Sequence, residues 1–90
     1  MSMSEFHADV SREMSIVPSK KIDCLGLFCP MPILKTREAV KLIGSGQVLE
    51  MTSDDPASEA DVRSWSARTG NPLLSVERNG PVFRFLIRKT

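Results

Sequence analysis

The chain has 90 residues, 12 of them basic and 11 acidic, for a formal net charge of +1. A chain this short supports one hydrophobic core rather than two, and its 41% hydrophobic, 26% charged composition is that of an ordinary soluble globular domain. Near-balanced charge disfavours direct nucleic-acid binding, and the lack of a basic leader or long apolar run predicts a cytoplasmic protein with no membrane partner.

Residues 1–19 are mixed polar, without a period of 2 or 3.6, and are expected to be a flexible N-terminal extension to a folded domain over 20–90. Lys20 to Leu25 reads as a short strand ending at Gly26, followed by a turn into a helix from Pro30 to Ile43 that Gly44 stops. Ile33, Thr36, Ala39, Val40 and Ile43 share one face of that helix, so it is expected to lie on a sheet. Gln47 to Ser53 alternates as a strand, with Leu49 and Met51 opposite Glu50 and Thr52, and a parallel pairing with the first strand is implied.

Asp54-Asp55-Pro56 predicts a second helix, with Asp55 as N-cap and Pro56 at its first position, running to Thr69 before Gly70. Its apolar stripe is thin, and Trp65 is expected to anchor it in the core. Pro72 to Arg78 and Val82 to Lys89 flank Asn79-Gly80, a hairpin signal, with Phe83, Phe85 and Ile87 on the core face of the last strand. The order β-α-β-α-β-β predicts an α/β two-layer sandwich, with two helices on one face of a mixed four-stranded sheet.

Cys24 and Cys29 are too few to form a secreted disulfide framework, so reduced thiols are expected. Cys29-Pro30-Met31-Pro32 places a thiol at a proline-fixed helix start, where first-turn amides would stabilise a thiolate and Lys35 or Arg37 would add positive potential. Cys29 is thereby a candidate nucleophile, although a small buried hydrophobe is an equally ordinary use of cysteine. Cys24 reads first as a buried strand-end residue and second as a partner thiol for Cys29. No metal site is expected, because Asp54 and Asp55 have no His or further Cys at ligand spacing and helix capping explains them. His7 has no partner that suggests a role. Arg78, Arg84, Arg88 and Lys89 gather on the terminal hairpin, as a solvated surface or a docking patch for an acidic partner. Leu27, Phe28 and Met31, if exposed, would form an apolar collar around Cys29.

The run Leu25-Gly26-Leu27-Phe28-Cys29-Pro30-Met31-Pro32 resembles the Leu-Gly-Leu-x-Cys-Pro-x-Pro signature of the TusA/SirA-type sulfur carriers. The likeness extends through Gly46, Asp54-Asp55-Pro56, Asn79-Gly80 and the closing Phe85-Leu86-Ile87-Arg88-Lys89, over about residues 21–89. It implies that Cys29 takes persulfide sulfur from a cysteine desulfurase or other donor protein and passes it to an acceptor protein, without a cofactor. In that family the sulfur serves tRNA thiolation, cofactor maturation or sulfur oxidation. Gly26, Pro30 and Pro32 would be the supporting motif residues. Two departures stand out: Met31 replaces the Glu that some relatives carry between the prolines, and Cys24 is a thiol where many have none. The alternative readings are a dithiol redox or regulatory protein using Cys24 and Cys29, and a non-enzymatic RNA- or protein-binding module.

Overall fold

The computed structural model describes residues 17–90, and within it the strands and helices follow the order β-α-β-α-β-β. The first strand, β1 (Lys20–Cys24), leads to helix α1 (Met31–Val40) and strand β2 (Val48–Ser53). Helix α2 (Ser58–Thr69) then leads to the hairpin of β3 (Leu73–Asn79) and β4 (Val82–Arg88). The strands form one mixed sheet in the order β1-β2-β4-β3, with β1 and β2 parallel and the other pairs antiparallel. The expected two-layer sandwich is the fold observed. The expected extension over 1–19 lies outside the described residues except at its end, where the Ser19 N–H donates to the Val48 carbonyl at 2.8 Å.

Alternation along the two central strands supplies the core. Leu49 and Met51 of β2 and Phe83, Phe85 and Ile87 of β4 are buried on the helix side, with the Phe83 and Phe85 rings stacked at 5.9 Å. Thr36, Ala39 and Val40 of α1, with Ile43 just beyond it, and Val62 and Trp65 of α2 close over them. Ile33 is half-buried at the margin. Trp65 is the core anchor of α2, and burying so large a ring outweighs the about 1–3 kcal/mol that its unpartnered indole N–H costs.

Most element ends fall within one residue of the sequence expectation, and three differences have an identifiable physical cause. Helix α1 ends at Val40 rather than Ile43, because the last turn tightens to Leu42 N–H to Ala39 C=O (3.0 Å) and Ile43 N–H to Val40 C=O (3.3 Å) bonds. Helix α2 begins at Ser58, two residues after Pro56, since Asp55 opens a turn before the helix: its side chain takes the Ala57 N–H at 3.1 Å and its carbonyl the Ser58 N–H at 2.9 Å. The hairpin turns on Gly80-Pro81, with Asn79 still paired to Val82. Gly80 has φ +62°, the left-handed value that a two-residue hairpin with glycine in first position requires.

Phe85 is fully buried on a central strand, so Phe85→Ala is expected to cost about 3–5 kcal/mol of stability. Urea denaturation followed by far-UV circular dichroism would measure it.

Candidate functional site

The parallel pairing of β1 with β2 brings two connecting loops to the same end of the sheet. The last pair in register is Cys24 with Ser53, so the Leu25–Pro30 loop emerges directly beside Asp54 and Asp55. Carboxylates accept most of that loop's amide hydrogens. The Leu25 N–H donates to Asp23 Oδ1 at 2.8 Å, the Gly26 N–H to Asp54 Oδ1 at 3.0 Å, and the Cys29 N–H to Asp55 Oδ2 at 2.7 Å. The Leu27 N–H closes on the Cys24 carbonyl at 3.1 Å. Gly26 has φ +80° with open space where a Cβ would stand, so a side chain here would be strained by the backbone rather than crowded.

Cys29 is exposed with its thiol free, at the opening of α1. Pro30 and Pro32 stand on either side of Met31 at the helix start, and the Cys29–Pro30 peptide is cis. The expected thiolate stabilisation does not materialise, for two physical reasons. First, the prolines carry no N–H, and the Met31 N–H is already bonded to the Phe28 carbonyl at 2.8 Å, so this helix start offers few free donors. Second, the charges facing the thiol are acidic. The Asp61 carboxylate, on the first turn of α2, favours the protonated form and pushes the Cys29 thiol above its ordinary value, with partial desolvation and the Asp55 charge adding to the rise. Lys35 and Arg37 do not counter this: both are exposed, and the field of Lys35 is felt at Cys24.

Cys24 is 0% exposed and belongs to the core cluster. Burial pushes its thiol up, opposed by Lys35 and reinforced by Asp23. It thus has the environment of a strand-end packing residue, while Cys29 faces solvent. Sequence reasoning missed Asp61 altogether, and it took Asp54 and Asp55 for helix caps alone. The parallel register was the signal that could have brought them to the Cys29 loop.

The surface around Cys29 is apolar. Phe28 is 71% exposed, and Leu25, Met31 and Leu34 are also exposed, whereas Leu27 turns inward against the core. From Met31 a groove of about 320 Å³ runs between α1 and the outer edge of β1, lined by Ile22, Leu34, Ala39 and Leu42 with Lys35 and Glu38 at its rim. The basic hairpin residues are largely engaged within the fold. Arg84 pairs with Glu77 at 2.6 Å and Glu50 at 3.2 Å, Arg78 lies over the Phe83 ring at 5.1 Å, and Lys89 Nζ donates to the Ile43 carbonyl at 2.7 Å. Among the described residues no cluster of His, Cys, Asp and Glu is arranged to hold a metal ion, and no helix is long and apolar enough to cross a membrane.

A small α/β sandwich that presents one free cysteine on a loop before a proline-bounded helix is a narrow class, and the sequence comparisons fall within it. Residues 20–89 match the family described as Sulfurtransferase TusA, and the chain belongs to that family. It is 38% identical over 71 residues to the sulfur carrier protein TusA of Allochromatium vinosum, covering 79% of this chain and 93% of that one. It is 35% identical to YedF of Escherichia coli, covering 83% and 97% of the two chains. Its 41% identity to YrkF of Bacillus subtilis covers 76% of this chain but 37% of YrkF, so only a part of that longer protein is shared. The crystal structure of a SirA-like protein from Desulfitobacterium hafniense has the same fold, with a TM-score of 0.68, 24% identity, and coverage of 77% of this chain and 95% of that one.

Because the neighbouring carboxylates raise the Cys29 thiol, its thiolate fraction at neutral pH is below that of an unperturbed cysteine. Iodoacetamide labelling of Cys29 should therefore have its inflection at a higher pH than a free cysteine. Asp61→Asn, which removes the largest contribution, should bring that inflection down. An unchanged profile would assign the thiol's chemistry to something other than Asp61.

Proposed function

We propose that this protein is a sulfur carrier in which Cys29 holds sulfane sulfur as a persulfide and hands it to a cysteine of an acceptor protein. The observation that carries the reading is the exposed, free Cys29 on its tethered loop, in a chain of the TusA family. The chemistry is thiol exchange at sulfur. The Cys29 thiolate attacks the outer sulfur of a donor protein's persulfide, a new S–S bond forms at Cys29, the old one breaks, and the donor cysteine departs as thiolate. The proton leaving Cys29 balances the one the donor thiolate takes up. Delivery repeats the step with an acceptor thiolate attacking the outer sulfur on Cys29.

The donor would be a cysteine desulfurase or another persulfide-bearing protein, and both partners must approach within bonding distance of Sγ. The exposed apolar rim of Leu25, Phe28, Met31 and Leu34 suits such docking, since side chains of this kind anchor protein interfaces once desolvated. A dithiol switch is less well supported, because Cys24 is wholly buried and would have to leave the core to meet Cys29. An RNA-binding role is disfavoured by the internal commitments of Arg78, Arg84 and Lys89.

Intact mass spectrometry after incubation with a cysteine desulfurase and cysteine tests the reading. Wild type and Cys24→Ser should gain an adduct of about +32 Da, one sulfur atom on the nucleophilic thiol. Cys29→Ser should gain none while remaining folded. An adduct that persists in Cys29→Ser would refute the assignment.

A further inference from the structure

Asp55 is the only buried charged side chain among the described residues, at 7% exposure, and both of its carboxylate oxygens are engaged. One carboxylate oxygen, Oδ1, accepts from the Ala57 N–H at 3.1 Å and so shapes the entry to α2. The other, Oδ2, reaches across 26 positions of sequence to the Cys29 N–H at 2.7 Å, the length of a charge-assisted bond. The turn that carries it is itself braced. The Asp55 N–H donates to Ser53 Oγ at 3.2 Å, and Ser53 Oγ shares a 2.6 Å hydrogen bond with the buried hydroxyl of Ser58. Shaping the turn into α2 needs only the bond to Ala57. The second oxygen has a separate job, holding the main chain of the residue whose side chain is the only exposed thiol among the described residues.

We propose that Asp55 is the positioning residue of the carrier: by gripping the Cys29 amide from the mouth of the second crossover, it fixes the direction in which Sγ meets a partner's sulfur. Asp54 is its auxiliary, gripping Gly26 of the same loop at 3.0 Å. The inference rests on the sulfur-carrier reading. Sulfur exchange is sensitive to this kind of control, since the attacking sulfur must approach in line with the S–S bond it breaks, and misplacement by about 1 Å can cost on the order of 100-fold in rate. The residue must be an aspartate. An asparagine of the same shape has a single acceptor oxygen, and its amide group would set N–H against N–H at either Cys29 or Ala57.

Asp55 also contributes negative charge at the thiol, so position and charge have to be separated. Three variants do this, Asp55→Asn, Asp54→Asn and Asp61→Asn, each read by iodoacetamide labelling of Cys29 and by sulfur loading from a cysteine desulfurase charged with cysteine. Labelling by a small reagent depends on thiolate fraction and needs no orientation. Protein-to-protein loading needs both. Asp61→Asn should raise both rates, because it only lowers the thiol's proton affinity. Asp55→Asn should keep or raise labelling at pH 7 yet lower the loading rate at saturating desulfurase by about tenfold or more, with the half-saturating concentration little changed. Asp54→Asn should lower loading by a smaller factor.

Amide hydrogen exchange at Cys29, followed by NMR, should speed up in Asp55→Asn and stay unchanged in Asp61→Asn. Loading by folded Asp55→Asn that equals wild type, or rises in step with labelling as in Asp61→Asn, would overturn the proposal. So would unaltered exchange at Cys29. Should Asp55→Asn fail to fold, Asp54→Asn decides, since its carboxylate braces no helix, and wild-type loading in that variant counts against the tether. A wild-type protein that labels normally but never loads sulfur would instead remove the carrier reading, and the exchange measurement would still judge whether Asp55 fixes the loop.

Discussion

The buried carboxylate of Asp55 accepts hydrogen bonds from both crossover loops at once, and the geometry at Cys29 depends on that bridge. It exists because β1 and β2 are parallel neighbours. Parallel strands that lie side by side send their carboxyl ends to the same edge of the sheet, which is where open α/β sheets place their sites. With Cys24 opposite Ser53, the next residues of each strand can only meet, and the chain supplies carboxylates on one side and bare amides on the other. Had the pairing slipped by one residue, Asp54 and Asp55 would face away from these amides and the buried faces of β2 would reverse. The core residues Leu49 and Met51 therefore hold the register on which the loop's hydrogen bonds depend.

The electrostatics at Cys29 run opposite to those of a cysteine activated by a helix start. Prolines at 30 and 32 give the helix a fixed beginning and at the same time remove two of the donors that would stabilise a thiolate. Asp61 and Asp55 then favour the protonated form. For the proposed carrier this has a physical logic. A thiol kept mostly protonated reacts slowly with small oxidants and alkylating agents, while the fraction that does ionise is intrinsically a stronger nucleophile than a low-pKa thiolate.

Much of this was legible in the sequence. The order of strands and helices along the chain, the amphipathic face of α1, the core positions Phe83, Phe85 and Ile87, and the burial of Trp65 follow from period and turn chemistry that act locally, within a few residues. Family membership followed from the run around Cys29. The start of α2 moved where a tertiary bond competed with a local preference, whereas the end of α1 and the hairpin turn moved by local hydrogen bonding and turn geometry. Asp55 is not the expected N-cap: one of its oxygens takes the Ala57 N–H in a preceding turn, the other is claimed by Cys29, and the helix begins later than Pro56 suggests, with Ala57 at its N-cap. Asp61 was invisible as a site residue because acids in the first turn of a helix, here Glu59 and Asp61, are already explained by the helix dipole. Its relation to Cys29 belongs to the packing of α2 beside the loop, which no local pattern encodes.

The hairpin carries the same lesson in its charges. Arg78, Arg84, Arg88 and Lys89 lie close together in sequence, and a cluster of that kind reads as an exposed basic patch. Cross-strand register changes its meaning: Glu77 stands opposite Arg84 on β3 and Glu50 lies beside it on β2, so the guanidinium is held between two carboxylates. Arg78 covers an aromatic ring and Lys89 closes the loop after α1 through the Ile43 carbonyl. The apolar rim of the Cys29 loop and the groove beside it stay open for recognition. Partner choice in such a carrier would then rest on shape and on which apolar side chains the rim presents, and Met31, an unbranched thioether set between the two prolines, is the rim residue best able to adapt to more than one partner.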